Sequence, residues 1–539
     1  MRSGRAPSET TARADDPREV FMKQSLRQSM TWLHTWSGLL VGWVLYFMFV
    51  TGTAGYFYVE IDRWMRPELP LAPVSPSATL SAAKADAFLR AEGADANYWR
   101  VNLPVGRQSK QLDVSWGNGE TPFGGVAGER TYVPAEGVFA EPVTPRATQG
   151  GYGLYRMHWK LHYLPQMLGV FIVGFCTMVL LVALLTGVIA HKRIFVDFFT
   201  FRPRKGQRSW LDFHNLMGVL SLPFLIMITY SGLVFYTVTY VPSGLQAAFK
   251  DAPEGYWSKL EPELRIPSPG PASGMAPLDG IVAGAITAWN GQSPDMLVVS
   301  NPLRANSQVV ALHSGSGTLL RDVGERLVFD GRTGALIENQ TASDSAPHAV
   351  FSALLGLHEG IYSDTILRWL YFASGLLGCA LIATGLVLWT VKRRAKRGAQ
   401  DAEPFGHRLV ECLNIGTVAG LPVGVAAYFW ANRLAPVQFA DRENWEFHAL
   451  FIAWGVMLVY PAFRTRRQAW AEALFLAAAA FGLLPLVNLL TTDRHLGVTL
   501  PAGDWGLAGF DMTALALASG FAIAAWLAGR RGSPKAARA

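Results

Sequence analysis

The chain has 539 residues, half of them hydrophobic and only 16% charged, with a mean hydropathy of +0.21. That balance excludes an ordinary soluble protein and fits a polytopic membrane protein with sizeable aqueous segments. The net charge of +7 comes from short basic blocks beside apolar runs, a topology signal and not a nucleic-acid patch. Cys176, Cys379 and Cys412 lie in or at the edge of apolar runs without CxxC spacing. A disulfide framework, a zinc site and an iron–sulfur cluster are therefore unsupported.

In chain order, residues 1–30 form a polar tail ahead of an apolar run too long for a signal-peptide core. Apolar length predicts eight spanning helices at about 31–58, 163–190, 214–240, 366–391, 409–431, 447–463, 469–490 and 509–529. The basic blocks at 192–208, 392–397, 464–467 and 530–538 then all fall on the side of the N-terminal tail. By the positive-inside rule that side is the cytoplasm, with both termini in it.

Two long segments, 60–157 and 241–360, fall on the opposite side and read alike. The first opens with a helical stretch at 80–89, then alternating runs at 98–103, 111–116 and 130–139. The second opens at 278–289, followed by 295–300, 307–313 and 326–337. Each is predicted to be a small α+β module. Helices one to four thus form two copies of helix, outside module, helix. Residues 409–529 show no such copy and read as an appended four-helix bundle, joined by the basic loop 392–408.

The histidines carry the chemistry. His34 precedes Gly52 by 18 residues, and His214 precedes Gly232 by the same 18. Equal depth on two helices predicts two ligands facing each other inside the membrane, where an ionisable group marks function. Gly38 and Gly218, one turn further on, leave room for a flat porphyrin. Two neutral imidazoles on one iron describe a b-type haem, and no C-x-x-C-H is present for covalent attachment. A second set lies at the outer ends: His158 and His162 before helix two, His358 before helix four. Read as one turn apart on one helical face, His158 and His162 are not separated by the repeat, and the expectation leans to His162. Haem iron would then be held by His34 and His214 on the cytoplasmic side, and by His358 with His162 or His158 on the outer side. His191 is a weaker candidate, because its counterpart on helix four is Trp389. The alternatives are interfacial histidines bonded to backbone, with the glycines serving close helix packing.

With these residues laid out, the chain resembles the PepSY-associated transmembrane helix family of bacterial inner-membrane proteins. The resemblance rests on His34 with Trp36-Ser37-Gly38, the His158/His162 pair, Thr186 to Lys192, Phe198 to Pro203, and Trp210 to Asn215. It continues through Leu367 to Phe372 and Thr384 to Trp389. It implies PepSY-like periplasmic modules and kinship with haem-containing ferric-siderophore reductases, which release ferrous iron in the periplasm. The expected protein is an inner-membrane haem b oxidoreductase, with two haems and a ferric siderophore or other ferric chelate as substrate. Its surroundings would be membrane lipid, its donor a quinol or a cytoplasmic reductase, and it would bind no nucleic acid. A non-catalytic PepSY regulator, or a transporter of the chelate or iron, are the competing readings. The four extra helices depart from the minimal family pattern.

Overall fold

The computed structural model describes residues 17–530 apart from 72–75, 106, 108–109, 192–194, 197, 199–201, 203–204, 250–263, 314–324, 341–345 and 397–402. The loop cations Lys192, Arg193, Arg204 and Arg397 therefore lie outside the described residues.

Among the described residues, eight helices are long and apolar enough to cross a membrane: Leu26–Gly55, Gln166–Ala190, Gln207–Phe235, Thr365–Ala395, Phe405–Leu434, Arg442–Phe463, Arg466–Thr491 and Trp505–Arg530. We refer to them as helices one to eight. The protein is thus a multi-pass membrane protein. Helix four begins where the Asp364 carboxylate accepts the Leu367 amide at 2.8 Å, an N-cap.

Helix two does not begin where the histidine-rich stretch begins. A separate short helix, Gly150–Lys160, carries His158 and stops because Leu161 adopts φ 59°, a left-handed C-terminal position. Tyr163 is left-handed as well, and Pro165 caps the true start of helix two at Gln166. The second copy repeats this break: Ala346–Glu359 carries His358, and Gly360 follows at φ 62°.

The two outside segments fold into one unit where two were expected. Their strands are β1 (Tyr98–Asn102), β2 (Asp113–Gly117), β3 (Val126–Val133) and β4 (Val138–Ala140). The second segment adds β5 (Met296–Ser300), β6 (Gln308–Leu312), β7 (Arg326–Asp330) and β8 (Leu336–Gln340). They make a single antiparallel sheet in the order β4-β3-β2-β1-β5-β6-β7-β8. Each module's first strand is its open edge, and β1 pairs with β5, placing Trp99 opposite Val299 and Asn102 opposite Met296. Pairing removes two rows of unsatisfied backbone groups. Helices Ala78–Glu92 and Leu278–Ala288 pack on one face, where Leu89, Trp99, Val101, Leu278, Val282, Leu297 and Val299 are fully buried. The strand and helix limits otherwise match the sequence expectation closely.

Helices five to eight dock along helices one and four, where the Trp43 indole donates to Asn414 at 2.9 Å, and also at the sheet-side end of the repeat. The Glu446 carboxylate accepts from the Gln149 amide at 2.9 Å and the Thr148 hydroxyl at 2.8 Å, at the entrance of the His158 helix. The Tyr428 hydroxyl donates to the Gly150 carbonyl at 2.7 Å. Arg433 stacks on the Trp64 ring at 3.6 Å.

Candidate paired-histidine site

Four histidines meet in two pairs inside helices one to four and their short outer helices. His34 and His214 lie with ring centres 6.4 Å apart, towards the ends carrying the basic loops. His158 and His358 lie 6.1 Å apart, towards the sheet.

One construction builds all four positions. Each ring sits against a glycine of another helix in its own copy: His34 against Gly187, His214 against Gly385, His158 against Gly52, His358 against Gly232. A Cβ on those glycines would fall 3.0, 3.2, 2.6 and 2.8 Å from the respective rings. Before each glycine stands a hydroxyl residue: Thr51, Thr186, Ser231 and Thr384. Helix one therefore gives a histidine to helix two and takes one from the helix preceding it. Helices three and four do the same.

The ring tautomers follow from the partners. Nδ1 of His34 is 2.8 Å from the Ala183 carbonyl, and Nδ1 of His158 is 2.7 Å from the Met48 carbonyl. A carbonyl only accepts, so both Nδ1 atoms carry the proton. Nδ1 of His214 meets the Thr384 hydroxyl at 3.0 Å, and Nδ1 of His358 meets the Ser231 hydroxyl at 3.1 Å. Those hydroxyls already donate to the carbonyls of Ala380 at 2.8 Å and Met227 at 2.7 Å, so they too accept from Nδ1. Every ring then presents an unprotonated Nε2, the state of a metal-bound imidazole steadied from behind. No hydrogen-bond partner holds any of these four Nε2 atoms among the described residues. Burial lowers the His158 pKa and pushes His358 down to about 3, with His158 adding to the effect, so both stay neutral.

The spacing has a chemical meaning. Two imidazoles bonded to opposite faces of one metal ion, each at about 2 Å, have ring centres roughly 6 Å apart. Both pairs match that separation.

Against the sequence expectation, His34, His214, His158 and His358 come together and His162 does not. The preference for His162 is corrected. The helix carrying His158 ends at Lys160, so the two never share a helical face. His162 packs instead 4.1 Å from the Phe447 ring and 5.7 Å from Phe451, in the appended bundle. Gly38 has open space around its Cβ direction and Gly218 only Leu381 at 3.5 Å, in keeping with room for a flat group. The glycines that fix the rings are the other four. His191 stands edge-on to His34 at 6.5 Å, and among the described residues no glycine or hydroxyl is seen behind it. His313 packs on Trp289 in the sheet domain, and the His348 side chain lies outside the described residues.

One cluster went unrecognised in the sequence. Glu403, His407 and Glu411, at successive i+4 positions, bring ligand atoms within 4.8 Å of one another. However, Arg394 bonds Glu411 at 2.8 Å, and Arg466 meets Glu411 at 2.5 Å and Glu403 at 3.1 Å. Two carboxylates are already balanced by two guanidinium groups, so a metal cation would add uncompensated charge.

Architecture and site together define a class: a multi-pass helical membrane protein with two histidine pairs among its helices and a folded sheet domain. Residues 31–392 match the family described as the PepSY-associated TM region, and the chain belongs to that family. It is also similar to a Pseudomonas aeruginosa protein described as "Uncharacterized protein PA4219". The two are 27% identical over 381 residues, which span 66% of this chain and 90% of that one.

Proposed function

We propose that the protein is a bacterial inner-membrane haem b oxidoreductase. It carries electrons from the cytoplasmic side to a ferric siderophore or similar chelate held outside. The observation that carries this reading is the fourfold construction, in which every histidine is bonded through Nδ1 and has its ring centre about 6 Å from that of its partner. His34 and His214 would hold one haem b, His158 and His358 a second. Haem supplies one-electron carriage and needs no covalent link here. The protein's part is to keep four imidazoles neutral and oriented.

Placement supports the direction. His34 and Gly52, which backs His158, are 18 residues apart on helix one, roughly 27 Å of rise. A hydrocarbon core is about 30 Å thick, so the pairs flank it and divide one long transfer into shorter ones. The basic loops put the His34–His214 end in the cytoplasm by the positive-inside rule. The sheet domain then stands in the periplasm beside the outer pair.

The test is single-turnover oxidation. Protein reduced with dithionite and freed of excess reductant is mixed anaerobically with a ferric siderophore. Reoxidation of the haem bands together with ferrous iron captured by a chromogenic chelator is the expected outcome. Haem that stays reduced in excess ferric chelate would remove the reductase reading.

A further inference from the structure

Helices five to eight have no repeat partner, and one contact chain connects them to the inner histidine pair. His407, in the first turn of helix five, is bonded at both ring nitrogens. Nδ1 lies 2.7 Å from Glu403 Oε1, and Nε2 lies 3.2 Å from the Thr390 carbonyl. Both partners are acceptors when Glu403 is ionised. Either the imidazole then carries two protons or Glu403 carries one, so an exposed carboxylate and a buried imidazole share an exchangeable proton. His407 stacks on Trp389 at 6.3 Å, and Trp389 packs against Trp36 at 6.1 Å. Trp36 is two residues from His34, and Trp389 is one turn beyond Gly385, the glycine behind His214. The route therefore ends on the stretches of helices one and four that carry His34 and Gly385.

The other end of the chain is open. Glu403 lines a shallow cavity of about 690 Å³ with Arg408, Phe463 and Arg466. Phe463 in that lining is 76% exposed, and Phe405, 81% exposed, lies two residues from both Glu403 and His407 in the sequence. The indole N–H of Trp389 is buried without a hydrogen-bond partner among the described residues, a donor available to an oxygen.

We infer that this cavity is the oxidation site of a membrane quinol, with Glu403 and His407 as its proton acceptor and Trp389 and Trp36 lining the electron path. The inference rests on the haem reading above. A haem site takes electrons only, so a donor that loses protons as it is oxidised needs a base beside the path. In the step, both O–H bonds of the quinol break and a quinone leaves. Its two electrons pass singly to the inner site and on to two ferric ions outside. Its protons go to the Glu403–His407 pair and then through the cavity to water. The exposed Phe405 and Phe463, at ends of helices five and six, favour a donor arriving from the bilayer over a soluble one.

The test uses the full-length haem-loaded protein in detergent, mixed with decylubiquinol or a short-chain menaquinol in a stopped-flow instrument. Haem reduction is followed at the α band from pH 5.5 to 8.5. The charged groups facing the pair are Arg394 on helix four, Arg408 and Glu411 on helix five, and Arg466 on helix seven. Expected are quinol-driven reduction in the native protein and a loss of at least tenfold in rate, with flattening of the pH profile, in Glu403→Gln and His407→Gln. Trp389→Phe should slow the rate and keep the profile. All three variants should keep the native spectrum and full reduction by dithionite. Native haem that dithionite reduces and quinol does not would overturn the inference and leave the haem reading standing. So would Gln variants as fast as the native protein with the same pH profile. Absence of haem would instead sink the reading beneath it.

Discussion

His158 Nδ1 lies 2.7 Å from the carbonyl of Met48, and one turn further along that helix a Cβ on Gly52 would fall 2.6 Å from the same nitrogen. Carbonyl and glycine thus act together. One fixes the proton, and the other removes the only atom that would push the ring away. The same arrangement stands behind the other three rings, with a hydroxyl accepting in the second copy.

Substituting these glycines is therefore the sharpest structural test. Gly52→Ala and Gly232→Ala should each displace the outer pair, at an overpacking cost of about 1–3 kcal/mol. About half of the bound haem should be lost while the inner site's spectrum remains. Gly520→Ala, on helix eight with nothing near its Cβ position, should bind haem normally. Haem-to-protein ratios on purified variants decide the matter, and equal loss in all three would contradict the account.

The correction at His162 makes a second expectation. His162→Ala should leave haem content unchanged and loosen only its packing against Phe447, whereas His158→Ala should empty the outer site. Low-temperature spectra, where two haems resolve as split α bands, distinguish the two outcomes.

The spans, the modules, the tandem copy and the inner pair were legible in the sequence because each leaves a periodic trace: apolar length, strand alternation, equal spacing. The choice between His158 and His162 was not, because it turns on one backbone angle at Leu161, a residue type seldom found left-handed. Thr186-Gly187 and Thr384-Gly385 were visible as helix markers. Their use as ring seats, together with Thr51-Gly52 and Ser231-Gly232, depends on contacts between helices. The joining of two modules at β1 and β5 was equally hidden, since pairing between distant edges has no local signature. The Glu403–His407–Glu411 row was present as an i+4 series, yet its arginine partners come from two other helices.

The joint sheet gives a stability test. Trp99 is fully buried beside the β1–β5 seam, and its indole N–H donates to the Gly93 carbonyl at 2.7 Å. Trp99→Ala should cost about 3–5 kcal/mol. Because the sheet is one unit, limited proteolysis should then cut both outside segments faster. Cleavage confined to the first segment would mean two independent modules.

Acid should weaken the docking of the appended bundle. Burial alone would raise the Glu68 pKa, but the hydrogen bond and charge of Arg146 outweigh it and hold the carboxylate below its ordinary value. Arg146 also donates to the Asn432 carbonyl at 2.8 Å, so the pair ties the outer segment to helix five. A depressed carboxylate stabilises the fold above its unfolded pKa of about 4.3, and that contribution disappears as pH falls through the lower folded value. Glu68→Gln should therefore lower the thermal midpoint at pH 7 and match the native protein near pH 3. A difference that persists unchanged in acid would show that the ion pair contributes nothing.

The central claim is two bis-histidine haems per chain, and counting them tests it most directly. A pyridine haemochrome assay against protein concentration should give two haems b per native chain and one each in His214→Ala and His358→Ala. A colourless native protein, or a folded single-histidine variant that keeps both haems, would contradict it.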